Sequence, residues 1–218
     1  MQAHLPPVII IGAGDHALVL IEALQSVGRR VLSITESSNT RLGKRISGVL
    51  IEGEDKLIYE HDPRSIELVN AIGSIDVPSA RRTVYIKFAS RGYRFATVVH
   101  PTAFVSPSAR LAQGAQVLAG SVVQSRSIVG SDAIINTGST VDHGCAIGAH
   151  SHIAPGVSLS GNVQLGPACH VGTAASIIQG ITVGAFSFIA AGAVVNKDLP
   201  EHSNVRGVPA KHTKTTRA

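Results

Sequence analysis

Residues 99–135 read VHPTAFVSPSARLAQGAQVLAGSVVQSRSIVGSDAII, with an aliphatic side chain at every sixth position. The series begins at Val99, passes through Val105, Leu111, Val117, Val123, Val129 and Ile135, and continues without a break to Val195. All seventeen positions are aliphatic, against a background of about one residue in four. A second column, four residues after each of these, is almost entirely small. Ala103, Ala109, Ala115, Ser121, Ser127, Ala133, Ser139, Cys145 and Ser151 open it, and Val157, Val163 and Ile181 are its larger members. Each small residue precedes the next aliphatic one by two, and positions two apart on a strand share a face. Both columns therefore point inward, and the other two residues of each hexad make a bend. The third place after the aliphatic holds glycine seven times in sixteen, with Asp132 and Asn162 also there, residue types that tolerate positive φ. Strand and bend repeating every six residues predict a parallel β coil of triangular section, about eighteen residues per turn and roughly five turns tall.

Charge adds a second inference. Between Val99 and Asn196 the charged residues are Arg110, Arg126, Asp132 and Asp142, far fewer than a solvated surface carries. The flanks of the coil are expected to be covered by copies of the same chain.

The N-terminal hundred residues follow a different pattern. Val8–Ile11 reads as a strand, Gly12-Ala13-Gly14-Asp15-His16-Ala17 as a turn, and Leu18–Leu24 as the body of a helix. Arg30–Thr35, Val49–Glu52 and Ile66–Ile72 read as further strands and Ser79–Arg91 as a second helix. Alternation of strand and helix predicts a small parallel α/β sheet, so the chain divides into residues 1–97 and residues 98–218. A strand–glycine–helix start can cradle a phosphate on backbone N–H groups. Glu36, just past the second strand beside Thr35, stands near the place of a ribose-binding acid. Gly12, Ala13, Gly14, Asp15, His16, Thr35 and Glu36 are the candidate nucleotide contacts, and the short domain favours a nucleotide sugar over a redox dinucleotide. The alternative is a turn that merely packs helix on sheet.

Composition narrows the classes. The chain has 218 residues, a formal net charge of +5, 44% apolar residues and no Trp. A mild basic excess without Lys/Arg runs or interleaved aromatics suits anionic small molecules rather than nucleic acid. The interrupted apolar N-terminus argues against a leader or a membrane span, and a cytoplasmic protein is expected. Cys145 and Cys169, the two cysteines, read as small buried hydrophobes. His143, His150, His152 and His170 are spaced by seven, two and eighteen, which does not supply a three-ligand zinc site, so no metal is expected. His143 falls at a corner of the coil and is suited to act as a general base. Asp142 is the carboxylate next to it, although adjacent residues on a strand diverge.

The run Thr140-Val-Asp-His-Gly-Cys-Ala-Ile-Gly148, with His152 nine residues beyond His143, resembles the hexapeptide-repeat sugar acyltransferases. That family includes sialic-acid O-acetyltransferases and nucleotide-sugar 4-amino N-acetyltransferases. Val99-His-Pro-Thr-Ala103, Arg206-Gly-Val-Pro-Ala-Lys211 and the GAGDHA start agree with it, so the resemblance covers nearly the whole chain. It implies that the coil is a left-handed β-helix and the assembly a homotrimer with sites between subunits. It further implies acetyl-CoA as co-substrate along the coil and a nucleotide sugar on the N-terminal domain, GDP-perosamine being the best match. His143 is then the base and Asp142 its nearby acid. A backbone N–H of Gly172 stabilises the oxyanion, His152 meets the acetyl end, and Ala190, Gly207, Val208, Pro209 and Lys211 line the cofactor path. One departure is Gly144, where relatives often hold an acid. The competing expectations are O-acetylation of a sialic acid or similar sugar, and a non-catalytic scaffold that binds nucleotide sugar.

Overall fold

The computed structural model describes residues 5–37 and 39–213. The N-terminal half is a six-stranded sheet. Its elements are β1 (Val8–Ile11), α1 (Asp15–Ser26), β2 (Val31–Thr35), β3 (Arg45–Ile46), β4 (Val49–Gly53), β5 (Glu67–Asn70), α2 (Ser79–Ala89) and β6 (Arg94–Phe95). The strand order is β3-β4-β2-β1-β5-β6, parallel except for the β3–β4 hairpin. β1 reads VIII and is buried at all four positions, as a central parallel strand must be. Its side chains alternate between two cores. Val8 and Ile10 pack with Ala17, Leu20, Ile21 and Leu24 of α1, whereas Ile9 and Ile11 pack with Ile58, Leu68 and Phe88 on the α2 side. α1 ends where Gly28, at φ 69°, lets the Gly28 and Arg29 N–H groups turn back onto Gln25 and Leu24, the usual glycine helix stop. The short strands β3 and β6 are absent from the sequence reading, being only two residues each.

From β7 (Val98–Val99) onward the chain winds as a left-handed parallel β-helix of two-residue rungs. Rungs pair with those eighteen residues away, as Gln116 with Ile134 and His152 with His170. Three faces result. The docking face carries Val98, Gln116, Ile134, His152, His170 and Phe188 in register; the second carries Phe104, Val122, Thr140, Ser158, Ser176 and Val194; the third carries Arg110, Ile128, Ala146, Gln164 and Thr182. The interior is the two expected columns, from Ala115 and Val117 through Cys145, Ile147 and Cys169 to Ile189 and Ala193. Each third place after the aliphatic, from Gly114 to Gly192, has positive φ, including Arg126, His150, Ala168, Ala174 and Phe186. The bend is thus a property of the coil. It imposes the left-handed conformation even on β-carbon-bearing residues that disfavour it.

The α1-side core runs directly into the coil: Val98, Leu118 and Ile134 belong to the same buried cluster as Leu20 and Ile21. A second tie is polar and wholly buried. Arg81 of α2 donates from Nε to the Asp132 carbonyl at 2.8 Å and from Nη1 to the carbonyls of Asn70 and Ile72 at 2.8 and 2.9 Å. Its Nη2 lies 2.8 Å from Asp132 Oδ1, off the hydrogen-bond axis. Asn70 donates to the same carboxylate oxygen, and His150 Nδ1 lies 3.0 Å from the other. The α/β half is therefore fixed against one face of the coil and the corner beside it.

Candidate active site

His143 follows the rung Thr140–Val141 and sits at the corner between the second and third faces. Its side chain is exposed, and among the described residues its ring has no hydrogen-bond partner. The imidazole lies over the Cα of Gly161, one turn further along the coil. A free, solvated imidazole can take a proton from an attacking nucleophile. A cleft of 280 Å³ on the second face, lined by Gln124, Thr140, Asp142, Ser158 and Ser160, leads up to this corner.

Asp142 does not orient the ring. Its Oδ1 accepts the backbone N–H of His143 at 2.7 Å, so the carboxylate fixes the corner's backbone and leaves the imidazole unpaired. At Gly144, a β-carbon would stand 2.3 Å from Asn162 Oδ1, and φ is 70°. A side chain at this place would meet the Asn162 carboxamide, which would have to move to admit it.

His152 lies on the docking face, on the far side of the coil from the His143 corner. Its Nε2 accepts from Asn136 Nδ2 at 3.0 Å, and its Nδ1 lies 2.9 Å from Ser74 Oγ and 3.2 Å from the Ser74 carbonyl. Both nitrogens are satisfied by the Nδ1–H tautomer. Burial, helped by neighbouring His170, holds its pKa down to about 3. His16 is not an exposed phosphate contact: its Nε2 pairs with Gln116 Oε1 at 2.8 Å, and burial lowers its pKa to about 4. A neutral ring facing the coil brings no charge to a phosphate. Gly172 is not an oxyanion donor, because its N–H is committed to the Ile189 carbonyl at 2.8 Å. Its lack of a side chain serves the coil, since a β-carbon would meet Ala191 N at 2.5 Å.

The glycine loop is assembled as the sequence suggests. Gly12, at φ 97°, donates its N–H to the Thr35 carbonyl, Ala13 is buried, and Gly14 and Asp15 are exposed at the start of α1. Thr35 Oγ1 donates to Asp55. Glu36 pairs through Oε1 with Arg41, while its Oε2 is buried with no partner among the described residues. At the other end of the chain, Gly207, Val208 and Pro209 form the turn between strands Asn204–Arg206 and Lys211–His212, with Lys211 exposed and Ala190 bonded to Val205. A larger hollow of 940 Å³ lies beside Leu24, Val27, Arg30 and Thr97, at the opposite end of α1 from the glycine loop. No group of three or more His, Cys, Asp or Glu able to hold a metal occurs among the described residues, and no described helix is long and apolar enough to cross a membrane.

Sequence reasoning missed Arg81, Asn70 and the buried role of Asp132 and His150. It also missed Gly161, although Gly161 is the single glycine in the column of corner residues that includes His143.

A left-handed β-helix of hexapeptide repeats, with an α/β unit fixed to one face and a lone histidine at the opposite corner, defines the hexapeptide-repeat class of acyltransferase folds. Similar solved structures fall in that class. A histidine-to-alanine mutant of GDP-perosamine N-acetyltransferase from Caulobacter crescentus, in complex with CoA and GDP-perosamine, is 37% identical, with 96% of this chain and 98% of that chain covered and a TM-score of 0.89. The acetyltransferase domain of PglB from Neisseria gonorrhoeae is 34% identical, with 96% and 100% covered and the same TM-score. The UDP-N-acetylglucosamine O-acyltransferase of Helicobacter pylori is 32% identical over 65 residues, and the match spans 24% of that relative's length and 30% of this chain. No protein-family model matches. The chain belongs to the hexapeptide-repeat sugar acyltransferase family that includes the Caulobacter N-acetyltransferase.

Proposed function

We propose that the protein transfers the acetyl group of acetyl-CoA to the 4-amino group of a nucleotide-linked 4-amino-4,6-dideoxy sugar, with GDP-perosamine the best match, and that His143 is the general base. The observation that carries this reading is the near-complete coverage, at 37% identity, of an N-acetyltransferase held with CoA and GDP-perosamine. The lone, solvated imidazole of His143 beside the second-face cleft supplies the chemistry. As the amine nitrogen bonds to the thioester carbonyl carbon, His143 takes the proton that nitrogen loses, and the protonated ring can return it to the departing thiolate.

The split of labour follows the two halves, residues 1–97 for the nucleotide sugar and residues 98–218 for acetyl-CoA. Ala13, Gly14 and Asp15 offer backbone N–H groups to the diphosphate, and Gly12, whose own N–H goes to the Thr35 carbonyl, makes the turn that presents them. The unpartnered Oε2 of Glu36 is an acceptor for a ribose hydroxyl, since a buried carboxylate oxygen without a donor is costly. Because the α/β half covers the docking face and His143 stands at the opposite corner, base and glycine loop meet only when one subunit's corner faces its neighbour. This supports a homotrimer with sites between subunits, in which the exposed Gly207–Lys211 turn lines the cofactor path and Lys211 faces phosphates. His152, already satisfied within its own chain, shapes that wall as a neutral ring. A cytoplasmic location accords with substrates of this kind.

The test is release of CoA thiol from acetyl-CoA with a panel of GDP- and UDP-linked 4-amino sugars and hydroxyl sugars, with His143→Asn alongside. Rapid release with one amino sugar, lost in the variant, is expected. Release with hydroxyl sugars alone would assign O-acetylation, and binding of a nucleotide sugar without any release would assign a scaffold.

A further inference from the structure

The corner column to which His143 belongs steps by six through Pro107, Gln113, Ala119, Ser125, Ser131, Thr137, His143, Ala149, Pro155, Gly161, Pro167, Thr173, Gln179 and Ala185. Every member but Gly161 carries a side chain. The backbone does not require glycine there, because Gly161 is not among the residues at positive φ. Nor does the coil's own packing explain it. A β-carbon at Gly148, Gly166, Gly172 or Gly184 would strike backbone of the next turn, but at Gly161 the three nearest atoms are all of one imidazole. They are His143 Cε1 at 2.6 Å, Nε2 at 2.7 Å and Nδ1 at 3.2 Å, the first two closer than β-carbons approach. On the other side of His143, the Ser125 hydroxyl is engaged with Ser106 Oγ at 3.2 Å and does not hold the ring.

We propose that Gly161 is a positioning residue that seats the His143 imidazole. The missing β-carbon makes a shelf on the coil against which the N–C–N edge of the ring rests, and the shelf fixes a ring that has no hydrogen bond to orient it. In this chain packing thus does the work that a carboxylate does for a paired histidine. The proposal rests on the assignment of His143 as the base. A ring displaced by about 1 Å can cost catalysis on the order of 10²-fold without altering where substrates bind.

The experiment compares Gly161→Ala with His143→Asn in the assembled enzyme, using steady-state kinetics for both substrates and the imidazole Cε1–Hε1 resonance of His143 in protein labelled with carbon-13 at histidine. Alanine already occupies the equivalent corner place at Ala119, Ala149 and Ala185, and the clash is with the end of an exposed side chain, so the variant is expected to fold and assemble. The expected result is a fall in kcat on the order of 10²-fold, both KM values within about twofold, and a shifted His143 resonance. If Gly161→Ala keeps its kcat and its resonance while His143→Asn is inactive, the shelf is wrong and the base stands. A raised KM for acetyl-CoA with kcat intact would also overturn the shelf, making residue 161 a cofactor contact. Full activity in His143→Asn would remove the base and the shelf together.

Discussion

His16 Nε2, at the start of the first helix, lies 2.8 Å from Oε1 of Gln116 on the second turn of the coil, and Gln116 in turn donates from Nε2 to the Asn70 carbonyl at 2.7 Å. One side chain of the coil thus holds both the glycine loop's helix and the strand beside it. The imidazole is kept neutral by burial, which outweighs the Gln116 hydrogen bond favouring the protonated ring. Burial lowers the His16 pKa to about 4 and that of His152 to about 3, and it lowers His170 as well. An unfolded histidine binds its proton near pH 6.5. The stabilisation from His16 and His152 is therefore complete above about pH 6.5 and is lost as pH falls toward 4 for His16 and toward 3 for His152. The slope within those windows is about 1.4 kcal/mol per pH unit for His16 and for His152. Urea midpoints between pH 7 and pH 5 should fall with acidification, and less steeply in His16→Asn. Equal slopes in the two proteins would remove His16 from the linkage.

Asp142 grips the backbone of His143 and not its ring. Asp142→Asn retains a carbonyl oxygen for that N–H, so kcat should change less than about threefold and the acidic limb of its pH profile should stay in place. A displaced limb would mean that the carboxylate tunes the base after all.

Placing an acid directly after the histidine should harm the protein. Gly144→Glu places a β-carbon at φ 70° and 2.3 Å from Asn162 Oδ1. The left-handed conformation alone costs about 1–2 kcal/mol, and a clear drop in thermal midpoint is expected. Adding Asn162→Gly should recover the part due to the clash and leave the part due to the backbone. A Gly144→Glu protein as stable as the parent would show that Asn162 moves aside freely.

Arg81→Leu should be among the most damaging single changes in the chain. It strips a fully buried carboxylate, Asp132, of its cation and leaves the Ile72 and Asp132 carbonyls without the donor that Arg81 supplies. Removing one partner of a buried pair costs about 3–5 kcal/mol, which denaturant titration would read directly. Adding Asp132→Asn, which removes the stranded charge and tolerates the φ of 58° there, should recover a large share. No recovery would place the cost in the carbonyls rather than in the charge.

The coil was legible because its period is enforced at every rung. A residue like Val141 must be aliphatic to lie inside, and Ala133 must be small to fit beside it, so composition and structure repeat together. The N-terminal strands were legible for a similar reason, with Val8–Ile11 too apolar to lie elsewhere than in the centre of a sheet. The histidines were less so. Type and spacing bring out His143, but nothing in a sequence says that His16 turns inward to Gln116 or that His152 faces Ser74, because both depend on how the two halves dock. Gly172 was misread as an N–H donor because its role is set by Ile189, one turn away. Arg81 gave no signal, since an arginine within a helix ordinarily lies in solvent. Glycine spacing pointed to the bends but not to Phe186 or His150 in the same backbone state.

The eighteen-residue register also constrains how the gene of such a protein can change length. One residue gained or lost within a rung would turn every later side chain of that strand inside out, and the fault would pass to each turn beyond. Tolerated insertions and deletions should come as whole turns, or as excursions that leave a corner and return to it. Relatives of different height would then differ by units of eighteen, with the His143 corner and its shelf at Gly161 gained or lost only as a pair of adjoining turns.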